Sequence, residues 1–221
     1  MEEIKVILDH AQAEITEKKS RFIANVYEIH SEIQANEYLD AIRKKHYDAR
    51  HNCYAYVLGK SNETQRFSDD KEPQGTAGKP ILEVIRGQGY HNTLVVVTRY
   101  FGGILLGTGG LLRAYTEAAQ AGINQAEADG LSSVIYTGNE ISITSDYNLS
   151  GKIQYIINQL NIPLEDTIYD ARVTYKLAVE CSLKDMLVKK ITEATNAASV
   201  ISIGDPISFA ISDNRPVMYE L

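Results

Sequence analysis

The chain has no tryptophan, and only two cysteines and five prolines among its 221 residues. Two thiols, Cys53 and Cys181, are too few for the disulfide framework of a small secreted domain. So few prolines leave no proline-rich linker. No apolar run reaches the ~18 residues of a membrane-spanning helix. The opening stretch, MEEIKVILDHAQAEI, is acidic and lacks the basic flank and apolar centre of a secretory signal. A cytoplasmic protein with reduced thiols is therefore expected. Positive charge is also short: 22 Lys and Arg stand against 29 Asp and Glu, a net charge of −7. That balance excludes a protein that coats nucleic acid without preference, because phosphate neutralisation supplies most of such affinity. His10, His30, His46, His51 and His91 show no HxxxH spacing and the cysteines no CxxC, so no metal site is expected.

What is present is an α+β pattern in two parts. RFIANVYEI predicts a strand over Arg21–Ile29. Residues 31–45 predict a helix with Ser31 as N-cap and Ile33, Tyr38, Leu39 and Ile42 on one face. Asn52–Leu58 predicts a strand, followed by a polar loop. A helix is expected over 77–87, with Pro80 tolerated in its first turn. The run Leu94–Tyr100 predicts a strand covered on both faces. Gly110–Ala126 predicts a helix that buries Leu111, Leu112, Tyr115, Ala118 and Ala119. Beyond Gly138 the pattern changes to strand 139–146, helix 148–160, strands 162–169 and 171–181, helix 182–197 and strand 199–211. This βαββαβ order is ferredoxin-like. The expected domains are 1–136 and 139–221.

Chemistry concentrates in residues 66–115, which hold nine of the fifteen glycines. Gly75–Thr76–Ala77–Gly78–Lys79–Pro80 is not a P-loop, since only two residues separate its glycines and Pro80 removes an amide. Two readings stay open there. One is a turn that enters a helix. The other is an anion or RNA pocket lined by Gln74, Gly75, Thr76 and Lys79, with the acidic pair Asp69 and Asp70 in the same polar loop. Arg99 directly follows the buried run, so it needs a partner, and Asp69 or Asp70 is the expected one. Its guanidinium is equally suited to phosphate. Tyr100 and Phe101 either stack on a base or belong to the core. Gly102, Gly103, Gly107, Gly109 and Gly110 precede a helix that carries Arg113. The dinucleotide fingerprint GxGxxG is absent because position 112 is Leu, but an anion at the helix start fits. His51 and Cys53, with Asp48 nearby, have the residue types of a thiol dyad. No oxyanion hole is marked, and a strand cysteine between tyrosines reads as a buried apolar residue. No catalytic residue and no cofactor are assigned.

RFSDDKEPQGTAGKPILEVI and VVVTRYFGGILLGTGGLLRAY resemble the signature of the Impact family, whose bacterial members are called YigZ-like. The resemblance implies a left-handed βαβ fold for the first domain, of the type in GHMP kinases and in domain IV of elongation factor G, ribosomal protein domain 2-like. It also implies a C-terminal domain like that of elongation factor G. The function it implies is a non-enzymatic cytosolic binding protein linked to translation regulation, contacting RNA, the ribosome or a translation-regulating protein. Two alternatives stand beside it. One is an enzyme that binds a phosphorylated small molecule through Lys79, Arg99 and Asp69. The other is a protein–protein adaptor whose polar loop is structural.

Overall fold

In the computed structural model, which describes residues 3–59 and 61–219, the chain divides into two compact units, Met1–Val134 and Ile135–Leu221. The first unit runs β1 (Lys5–Ile7), β2 (Ala11–Glu17), β3 (Ser20–Glu28), α1 (Glu32–Lys45), β4 (His51–Leu58), β5 (Thr64–Ser68), α2 (Gly78–Gly87), β6 (Thr93–Tyr100), α3 (Gly107–Ala128) and β7 (Ser132–Val134). Its main sheet has the order β2-β3-β6-β4-β5, antiparallel throughout. β3 and β4 flank β6 and therefore run parallel to each other, so β3-α1-β4 is a βαβ unit with β6 inserted between its strands.

The apolar run of β6 is explained by cover on both sides. Val95 and Val97 pack with Ile81, Ile85, Ala118 and Ile123 of α2 and α3. Leu94 and Val96 pack with Ala35, Leu39 and Ile42 of α1. α3 lies very close to β3: a Cβ on Gly122 would sit 2.9 Å from Val26 Cγ2 and 3.0 Å from Ala24 Cβ. Ser31 caps α1 by accepting from the Gln34 amide at 3.1 Å.

Several elements differ from the sequence expectation. The strand expected over Arg21–Ile29 is present as β3, but β1 and β2, which were not expected, precede it. β2 and β3 form a hairpin whose two-residue turn, Lys18–Lys19, has φ of 46° and 67°. That geometry normally calls for Asn or Gly, and two lysines give no signal of it. The polar loop after β4 contains the edge strand β5. Ile33 and Leu112, expected on buried faces, are 73% and 46% exposed. α3 opens three residues earlier than expected, at Gly107.

The second unit runs β8 (Tyr136–Ser145), α4 (Tyr147–Gln159), β9 (Leu164–Tyr169), β10 (Val173–Glu180), α5 (Lys184–Thr195), β11 (Val200–Ser212) and β12 (Arg215–Met218). The sheet order is β12-β11-β8-β10-β9. Without β12 this is the ferredoxin-like βαββαβ arrangement. Ile141, Ile143, Tyr175 and Leu177 form its core with Ile153 and Ile157 of α4 and Leu187 and Ile191 of α5. β12, which the sequence pattern did not predict, returns through a turn at Asp213–Asn214 with φ of 47° and 62°.

Candidate functional site

The polar loop between β5 and α2 is tied down by its own acids. Asp69 Oδ1 accepts from the amides of Ala77 (3.0 Å) and Gly78 (2.8 Å), and Oδ2 accepts from Gly75 (2.8 Å). Asp69 therefore caps α2, whose N-cap residue Ala77 offers no side-chain bond. Asp70 Oδ2 accepts from the Asn52 amide at 2.7 Å. The buried Thr76 hydroxyl donates to the Pro73 carbonyl at 2.7 Å. Gln74 and Lys79 are exposed, and Lys79 Nζ lies 3.9 Å from Glu83.

The partner of Arg99 is neither Asp69 nor Asp70 but Glu72. Arg99 Nη1 donates to Glu72 Oε1 at 2.6 Å, with the two side chains 7% and 4% exposed. All three acids lie within four positions. The left-handed backbone at Asp70 and Lys71, φ 38° and 72°, is the local turn that precedes the inward-facing one. The rings of Phe22 and Phe101 lie 5.5 and 5.6 Å from the central guanidinium carbon. Tyr115 donates its hydroxyl to the same Glu72 oxygen at 2.8 Å. Burial pushes the Tyr115 phenol up from its ordinary value, so the proton it donates is firmly held.

Cys53 sits behind this pair. Its thiol lies 3.0 Å from the Asp69 carbonyl and 3.3 Å from the Tyr115 hydroxyl. Burial raises its pKa, which keeps it a thiol rather than a nucleophilic thiolate. His51, the other half of the dyad pattern, has Nδ1 2.9 Å from the Asp70 carbonyl. A carbonyl only accepts, so Nδ1 carries a proton in this contact. Nε2 of the ring lies 3.9 Å from Glu72 Oε1.

Above these groups is a pocket of about 390 Å³. Arg99, Glu72 and His51 line it, with Arg50 and Lys71 as further cations. Phe101, Leu105, Leu106 and Leu111 supply an apolar wall, and Gly107 and Thr108 bring the start of α3 to its edge. Neither a side-chain cap nor an acidic residue occupies the first turn of α3. That end therefore presents bare amides and the positive pole of a 22-residue helix.

Of the residues singled out from sequence as ligand contacts, Arg99, Phe101 and Gly107 line this pocket. Gly109 and Gly110 lie in the first turn of α3, and Arg113 is exposed one turn further on. Gly103 supplies a φ of +84° before the helix. Gly102 is structural: a Cβ there would lie 2.0 Å from the Lys19 carbonyl carbon, and its amide donates to Ser20 Oγ at 3.1 Å. Tyr100 works elsewhere. Its hydroxyl donates to Asp48 at 3.0 Å and lies 3.0 Å from His46 Nδ1. Lys79, Arg99 and Asp69 do not converge on one cavity, since only Arg99 lines it. His51, Glu72 and Thr108 were missed as pocket residues. His51 is the cross-strand partner of Arg99 in the β4–β6 ladder, a pairing that only the register reveals. Among the described residues no group of three or more His, Cys, Asp or Glu could hold a metal ion, and no helix is long and apolar enough to cross a membrane.

The chain as a whole is similar to known proteins. The Impact N-terminal domain is matched over residues 18–123, and a domain of unknown function, DUF1949, over residues 143–198. The Impact family member YvyE of Bacillus subtilis (strain 168) is 36% identical over 201 residues, which cover 90% of this chain and 90% of that protein. The family member YigZ of Escherichia coli (strain K12) is 37% identical over 164 residues, 73% of this chain and 78% of its own. A crystal structure of a hypothetical protein, 30% identical, superposes with a TM-score of 0.55 and covers 93% of this chain and 98% of its own.

Proposed function

The chain belongs to the Impact family, and on that premise we propose that it is a non-enzymatic cytoplasmic binding protein linked to translation control, with the Arg99 pocket as its working surface. The partner is RNA on or near the ribosome. One observation carries this reading. In a chain of net charge −7, Arg50, Lys71 and Arg99 gather around a pocket whose one carboxylate, Glu72, is already engaged from behind. Local clustering of positive charge, not overall charge, is what favours a phosphate backbone. The half-exposed Phe101, next to Arg99, adds a ring on which a base can stack.

The test is fractionation of a native lysate on a sucrose gradient, with and without RNase. Wild-type protein should travel with ribosomal particles and return to the top after RNase. The double charge reversal Arg50→Glu/Lys71→Glu should stay at the top throughout. Wild-type protein that never enters the particle fractions would overturn the proposal.

A further inference from the structure

Resting on that reading of the pocket, we infer that its ligand is a phosphate monoester on a nucleoside: a 5′-phosphorylated nucleotide, free or at the end of a single RNA strand. Three independent features point to this group.

The first is the state of Arg99. Glu72 takes Nη1, and Nε is buried without a hydrogen-bond partner. An arginine held at Nη1 has its Nε–Nη2 edge left over, and that edge is a fixed fork of parallel donors matching two phosphate oxygens. A buried donor without an acceptor is costly, and an anion that reached this edge of a side chain 7% exposed would supply one.

The second is charge. Arg50, Lys71 and Arg99 against Glu72 leave two positive charges on the lining. A phosphate monoester carries about 1.5 to 2 negative charges near neutrality, whereas a phosphodiester or a carboxylate carries one. The bare amides at the start of α3 add donors from a second direction, which a tetrahedral anion can engage together with the guanidinium.

The third is the apolar wall, which begins beside Arg99 at Phe101. Phe101 is 50% and Leu105 82% exposed, and both face the pocket. A volume of about 390 Å³ is at the small end for ligand sites and holds one phosphorylated unit beside a flat apolar group. A nucleoside has that shape, with a base to lie against Phe101.

Calorimetry on the full chain tests the assignment with four probes: adenosine 5′-monophosphate, adenosine, a 5′-phosphorylated RNA tetranucleotide and the same RNA with a 5′-hydroxyl. The monophosphate should bind roughly tenfold or more tighter than adenosine, the worth of hydrogen bonds to a charged group. Binding of the phosphorylated RNA with a similar preference over its 5′-hydroxyl form identifies an RNA end. Binding of the mononucleotide alone identifies a free nucleotide. Thr108→Glu places a carboxylate at the start of α3, where it favours the helix and repels the ligand. This variant should keep its melting temperature and lose binding roughly tenfold or more. Equal affinity for adenosine and its monophosphate, no binding of either phosphorylated probe, or unchanged binding by Thr108→Glu would each overturn the inference. Ribosome association that survives such a result leaves the broader function standing. Nucleotide binding without ribosome association removes the function and keeps the site.

Discussion

Glu72 Oε1 receives both the Arg99 guanidinium, at 2.6 Å, and the Tyr115 hydroxyl, at 2.8 Å, so one buried oxygen joins loop, strand and helix. Removing the cation leaves that oxygen charged in the interior. Arg99→Ala should lower unfolding free energy by about 3–5 kcal/mol. Lys79→Ala, at an exposed pair 3.9 Å apart, should change it by no more than about 0.5 kcal/mol. Urea denaturation of both variants decides. Equal midpoints would show that the pair contributes nothing.

Cys53 should resist alkylation. Native protein treated with iodoacetamide near neutral pH should label the exposed Cys181 readily and Cys53 much more slowly than unfolded chain does. The cause is burial, which raises the Cys53 pKa and blocks access. Peptide mapping that finds Cys53 labelled faster than in the unfolded chain would reinstate it as a nucleophile.

His46 makes the first unit sensitive to mild acid. The Tyr100 proton goes to Asp48, so His46 donates from Nδ1, and its Nε2 is buried without a partner. Burial depresses its pKa, with Lys45 and Arg21 in the same direction and Asp48 opposing. The unfolded chain, with a His pKa of about 6.5, then binds the proton more readily than the folded one. This contribution to stability is present above that value and is lost as pH falls below it towards the depressed folded value. His46→Gln should flatten the fall in stability between about pH 7 and 5. Parallel pH profiles for the two proteins would refute the assignment.

Gly102, before α3, and Gly109, in its first turn, should respond to alanine with opposite signs. At Gly102 a Cβ would lie 2.0 Å from the Lys19 carbonyl carbon, backbone that no rotamer change relieves. Gly102→Ala should cost about 2 kcal/mol or more. Gly109 has ordinary φ and nothing within 4 Å of a built Cβ. Gly109→Ala should stabilise by about 0.5–1 kcal/mol, since glycine is a poor helix residue. Melting temperatures that move the same way would contradict the geometry.

The two units should fold apart. The core clusters of the first unit, with the residues packed against them, lie within residues 7–131 and that of the second within residues 141–201, with no residue in common. Fragments 1–134 and 135–221 are each expected to melt cooperatively. Failure of both to do so would show that the units depend on each other.

Sequence was most informative where apolar spacing was unambiguous. The run at 94–97 and the strand expected over 171–181 located β6 and β10, and Ser31 located the start of α1. β2 escaped because its inward-facing residues include Ala11, Ala13 and Ile15, two of them too small to mark a face, and because its turn is Lys18–Lys19. In the site, the buried position of Arg99 was readable from the strand before it. The identity of its partner was not, since Asp69, Asp70 and Glu72 look alike until the backbone turns. His51 entered the pocket through strand register, which no local pattern encodes.

β1 and β7 pair with Lys5 opposite Val134 and Ile7 opposite Ser132. Facing residues of antiparallel strands lie about 5 Å apart, so the first unit starts and finishes at one corner. A few added residues would close it into a ring. Reopened at the turn between β4 and β5, around Ser61–Glu63, that ring becomes a circular permutant with every strand pairing intact. Its architecture is thus indifferent to where translation begins along it.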